Sequence, residues 1–133
     1  IGFPGEYEGD IFESIKLNKK LEPKSYDVGF VTPYYGTLIH KVANELGYIK
    51  TQSRPGFNGM VKNISLRGDP LIFSPNIGES QLKELALDFI SYVSGAKTIP
   101  NKYHKTFPGG NDANSPERER MSREVLDILN RDY

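Results

Sequence analysis

The 133-residue chain contains no cysteine. A disulfide, a thiolate metal site and a thiol nucleophile are therefore all excluded. No apolar run approaches the ~18 residues that a membrane-spanning helix needs. No charged-then-apolar leader opens the chain either, so a soluble domain of unknown compartment is expected. Ile1 stands where an initiator Met would, which leaves a processed product and an excised domain both open. Net charge is missing too. The 17 Lys and Arg balance 17 Asp and Glu, so long-range attraction to nucleic acid or an anionic membrane is weak for the chain as a whole. Gly-x-Gly-x-x-Gly and Gly-Lys-Ser/Thr phosphate loops are absent. His104 and Asp112 have no Gly-x-Ser-x-Gly elbow to serve, and His40 and His104 are too distant in sequence for a metal-ligand pattern. No catalytic residue, metal ligand or cofactor is assigned.

What is present suits one domain with a real core. The length and the 37% hydrophobic content fit a single unit over 1–133. Ile1 to Asp10, with three Gly and Pro4, reads as a loop or short edge strand. Ile11 to Lys20 carries an imperfect helical pattern that Pro23 ends. Asp27 to Val31 is a short apolar run read as a strand buried on both faces. Thr37 then caps a helix over Thr37–Leu46, whose Leu38, Ile39, Val42, Ala43 and Leu46 share a face and which Gly47 terminates. Tyr48–Thr51, Met60–Leu66 and Leu71–Phe73 read as further short strands. Ser80 is expected to cap a second helix, Ser80–Val93, with Leu82, Leu85, Ala86, Phe89, Ile90 and Val93 at helical spacing and Gly95 at its end. A long loop comes next over 96–114, and such loops are usually functional, mobile or wrapped over a partner. Ser115–Asn130 reads as a C-terminal helix with Pro116 in its first turn and a narrow face of Met121, Val125, Ile128 and Leu129. The fold expected is α/β: one compact domain, a short mixed or parallel sheet of about four strands, and three helices.

Charge distribution is more informative than its sum. From Leu38 to Arg67 there are five cations, Lys41, Lys50, Arg54, Lys62 and Arg67, against the single carboxylate of Glu45. Within this stretch His40, Ala43, Glu45-Leu46-Gly47, Ser53, a Gly-containing loop and Lys62 entering an apolar strand form a pattern. Residues 38–66 thereby resemble the small module named for its Arg-x-x-x-His motif, a family associated with single-stranded nucleic-acid binding. Gly36 stands where that family has its arginine. The resemblance implies a non-catalytic module whose His40, Lys41, Arg54 and Lys62 contact phosphates, while Tyr34, Tyr35 and Phe57 offer stacking surfaces to bases.

A second stretch, YDVGFVTPYYG at residues 26–36, resembles the second flavin-contacting loop of flavodoxin-like proteins, without that family's phosphate loop. It implies a small-molecule or enzymatic site for a flavin or other anionic ligand at Thr32, Tyr35, Gly36 and Thr37, in the crevice between a strand's end and a helix start. A third expectation is an interaction or assembly domain whose 96–114 loop docks on a protein partner. Glu117, Glu119, Glu124 and Asp127, interleaved with arginines, read as a solvated helix face with i,i+4 pairs.

Overall fold

A computed structural model describes residues 1–50, 69–104 and 116–131. Over these residues the chain is 55% helical and 2% β-bridge, against the ~20–25% strand of an average domain. The α/β sheet is thus not found. In its place are four α-helices: α1 (Glu8–Leu21), α2 (Leu38–Glu45), α3 (Glu79–Ser94) and α4 (Pro116–Asn130), with a 3₁₀ turn at Asn101–Tyr103.

The expected strands fail to pair for identifiable reasons. Asp27–Val31 is extended, but among the described residues its backbone pairs with the first residue alone: Ile1 N lies 2.8 Å from Gly29 O, and Val31 N donates to Ile1 O at 2.9 Å. Val28 is buried while Asp27 and Gly29 are exposed, so the segment covers the helices on one side instead of sitting inside a sheet. Tyr48–Lys50 and Leu71–Phe73 meet at one antiparallel bridge, Ile49 to Ile72. Lys50 N donates to Leu71 O at 3.3 Å and Phe73 N to Tyr48 O at 2.6 Å. Pro70 and Pro75 flank the second segment, and proline brings no N–H with which to lengthen a ladder. The fourth expected strand, Met60–Leu66, lies outside the described residues.

The first helix is longer than its periodicity predicts. Asp10, at its third position, accepts from the Tyr7 N–H at 2.9 Å and so satisfies one of the orphan donors of the helix start. Glu8 and Asp10 in the first turn and Lys19 and Lys20 in the last both oppose the helix dipole favourably. The helix stops at Glu22, which takes a left-handed φ of 46° one residue before Pro23. The start of α3 also differs from expectation: Gly78, not Ser80, is its N-cap and offers no side chain.

The principal core lies between α1 and α3. Ile11, Phe12 and Ile15 of α1 meet Leu82, Leu85, Phe89, Tyr92 and Val93 of α3, closed over by Val28, Ile77, Ile99 and Tyr103. Phe12 is its centre, set edge-on to Tyr92 (5.2 Å) and stacked on Tyr103 (4.4 Å, 14°). Ile90, expected on the buried face, is 47% exposed; Tyr92 takes that role. The first part of the expected 96–114 loop is therefore core, since Ile99 and Tyr103 are buried in this cluster. Residues 105–114 lie outside the described ones.

The second packing unit is α2 against α4. It is thinner: Val42, Ala43 and Ile128 are fully buried, while Met121, Val125 and Leu129 are half-buried. Polar ties supplement it. Arg118 of α4 lies over the Tyr7 ring at 4.4 Å and places Nη2 at 3.0 and 2.9 Å from the two Asp10 oxygens. One carboxylate thus serves the start of α1 and the docking of α4. No helix among the described residues is long and apolar enough to cross a membrane.

Candidate nucleic-acid interface

The site begins in the turn that launches α2. Tyr34 N donates to Thr32 O at 3.0 Å across the buried Pro33, and Tyr34 O accepts from both Thr37 N (3.1 Å) and the Thr37 hydroxyl (2.7 Å). The same hydroxyl accepts from His40 N at 3.2 Å, which makes Thr37 the helix cap that the sequence predicts. Both functions of this hydroxyl are thus structural. Gly36 closes the turn at φ +83°, with no atom of the described residues within 4 Å of where a Cβ would stand. The position aligned with the resembled family's arginine is therefore held in a backbone conformation that an arginine adopts only under strain.

Beyond the turn, α2 is two-sided. Val42 and Ala43 point into the fold with Ile39 and Leu46 partly covered beside them. His40, Lys41, Asn44 and Glu45 fall at i, i+1, i+4 and i+5 and form the opposite stripe. That stripe, with Tyr35, Gly36, Thr37 and Leu38, lines an open groove of about 530 Å³. At its mouth the Tyr35 ring is 78% exposed and stands edge-on to His40, 5.2 Å between centroids. At its far end Arg131, just past α4, reaches Glu45 at 3.3 Å. Along the groove the order of chemistry is an aromatic face, then imidazole and ammonium, then an amide and a carboxylate.

Of the residues predicted from the sequence, the structure gathers Tyr35, Gly36, Thr37, His40 and Lys41 around one groove. Tyr34 is 40% exposed but does not line it, and Thr32 contributes a carbonyl to the turn. Arg54, Phe57 and Lys62 lie outside the described residues. Their segment leaves the described chain at Lys50 and returns at Asp69, and these two ends are neighbours. Lys50 pairs with Glu79 at 2.5 Å, Glu79 with Lys83 at 2.9 Å, and Lys83 with Asp69 at 2.5 Å. These pairs hold Glu79 below the usual carboxylate range, first through its hydrogen bonds to Lys50 and Lys83.

Leu38, Asn44, Glu45 and Arg131 were not legible as site residues. The i,i+4 relations His40 to Asn44 and Lys41 to Glu45 were the available signal. The crevice for an anionic cofactor at Thr32–Thr37 presupposes an open sheet, and none exists among the described residues. His104 has a structural task, one ring nitrogen lying 2.9 Å from Ile99 O. The acidic residues of the first segment are engaged as well: Glu6 accepts from the Gly2 and Phe3 N–H groups at 2.5 and 3.2 Å, and Glu8 from the Tyr103 hydroxyl at 2.6 Å.

Comparison with protein-family models, with curated proteins and with solved structures finds no match for this chain.

Proposed function

We propose that this protein is a non-catalytic module that binds single-stranded nucleic acid along α2 and the basic segment after it. One observation carries the reading: the exposed Tyr35 ring stands beside His40 at the mouth of a groove that Lys41 also lines. An exposed aromatic face next to hydrogen-bond donors and an ammonium is the combination that suits unpaired bases and their phosphates. A groove of about 530 Å³ lies within the ~300–1,000 Å³ typical of ligand sites. The segment 51–68 adds Arg54, Lys62 and Arg67 and no carboxylate, so positive charge continues from the groove along the chain. In the absence of net charge, affinity depends on this local patch and is therefore sensitive to salt.

Fluorescence anisotropy with short single-stranded DNA and RNA at two salt concentrations tests the proposal. Tyr35→Ala is expected to lower affinity about tenfold, as loss of one stacked base does. The Arg54→Ala/Lys62→Ala pair is expected to weaken binding and flatten the salt dependence by about two phosphate contacts. No binding at low salt, or binding indifferent to all three substitutions, would remove nucleic acid from consideration.

A further inference from the structure

The order of side chains along the groove carries sequence information as well as affinity, provided that the proposed nucleic-acid function holds. Tyr35 offers a ring face at one end. His40 and Lys41 come next, one helical turn before Asn44 and Glu45. Four residues of α-helix advance about 6 Å, so the imidazole–ammonium pair and the amide–carboxylate pair occupy successive places along a bound chain. Glu45 is an anion at the edge of a site for a polyanion. It cannot face a phosphate favourably, and like charges placed together are a discriminating element. A carboxylate does, however, accept hydrogen bonds from base edges.

We infer that the groove reads a two-nucleotide step, one base on Tyr35, the linking phosphate at His40 and Lys41, and a guanine edge at Glu45 and Asn44. Guanine is the base that matches because it presents two adjacent donors, its N1–H and its exocyclic N2 amino group, to the two oxygens of a carboxylate. Cytosine and adenine offer an amino group beside an acceptor nitrogen. Uracil and thymine place one N–H between two carbonyl oxygens, which a carboxylate repels. Arg131, 3.3 Å from Glu45, holds the carboxylate at the groove's end from the tip of α4. The selectivity thus depends on α4 being docked.

The test compares the labelled RNA hexamers UGUGUG, UIUIUI and UUUUUU on the intact chain. Inosine differs from guanosine only in lacking the N2 amino group, so this arm needs no variant protein. The expected result is UGUGUG bound about tenfold more tightly than the other two. In Glu45→Gln that preference is expected to vanish while the salt dependence stays. Equal binding of the three hexamers by the wild type overturns guanine selection and leaves the nucleic-acid reading standing. A preference retained in Glu45→Gln likewise overturns it, and no binding to any hexamer removes both proposals.

Discussion

Two glycines and one glutamate show how much single positions decide. Gly36 and Gly5 both have φ near +84° (83° and 84°), a region that costs an L-residue roughly 1–2 kcal/mol. They differ in their surroundings. A Cβ on Gly36 meets open space, whereas one on Gly5 stands 2.7 Å from the Met121 sulfur of α4. Gly36→Ala is therefore expected to lose about 1 kcal/mol, and Gly5→Ala more. The excess should disappear when both proteins carry Met121→Ala; urea midpoints measure the difference, and equal losses would mean that the Gly5 contact is irrelevant. Glu6 makes a prediction about pH. Burial raises its carboxyl above the ordinary value of 4.5, and the Gly2 and Phe3 N–H groups and the Ile1 amino group draw it only part of the way back. The folded chain then holds this proton more tightly than the unfolded one. Its contribution to stability is complete below the unfolded value and is lost as pH rises through the folded value. Glu6→Gln keeps an oxygen for the Gly2 amide, so as pH rises above the ordinary value of 4.5 its profile should fall less steeply than the wild type's. A slope common to both proteins would place the titration elsewhere.

At the scale of elements, the segment after α3 is the one most altered by the structure. Among its described residues, 95–104, the two side chains that it buries are Ile99 and Tyr103, too few to give an apolar period. Tyr103 is stacked on Phe12 and donates to Glu8, and burial, then that hydrogen bond, raises its hydroxyl above the usual tyrosine range. Tyr103→Phe should cost about 1 kcal/mol, the worth of one hydrogen bond, and Tyr103→Ala about 3–5 kcal/mol, the worth of a core aromatic. Equal costs in thermal unfolding would show that the ring does not fill the core. The helices themselves were legible: α2, α3 and α4 begin and end within a residue or two of their periodicity, caps and glycines. What misled was the short apolar run. Asp27–Val31 and Leu71–Phe73 carry β-branched and aromatic residues, which identify extended backbone but not a pairing partner. Such pairing is set by tertiary contacts. The start of α1 was hidden for another reason. Its first turn is stabilised by Asp10, which accepts from the Tyr7 N–H and also pairs with an arginine 108 positions away in sequence. Half of the groove was readable as cations and aromatics. Glu45 and Asn44 were not, since nothing in a polar helix face distinguishes a base-reading carboxylate from a solvated one.

For the molecule as a whole, apolar burial is distributed unequally between its two helix pairs. Between α1 and α3 lie eight core side chains, from Ile11 to Val93, with aromatic contacts on Phe12. Among the described residues the buried set of α2 and α4 is Val42, Ala43 and Ile128; Arg131 on Glu45 ties the end of α4 to α2, and Arg118 on Asp10 ties α4 to the start of α1. Regions with few buried apolar contacts open with less free energy than the global transition. Hydrogen exchange should accordingly be fastest in α4 and α2 and slowest in α1 and α3. Arg118→Ala removes a charge-assisted tie worth about 1.5–3 kcal/mol. If α2 and α4 open together, this substitution speeds exchange in both, and in the first turn of α1 where Asp10 sits, and leaves the rest of α1 and α3 near their wild-type rates. The groove is lined by α2 and the turn before it, and its Glu45 pairs with Arg131 just past α4, so the same opening would dismantle the proposed guanine-reading end before the Tyr35 end. In the presence of UGUGUG, protection should therefore rise in α4 as well as α2, although α4 touches the site only through the Arg131–Glu45 pair just past its end. Exchange that accelerates uniformly over all four helices in Arg118→Ala would show one cooperative unit, and the proposed dependence of base selection on α4 docking would lose its physical basis.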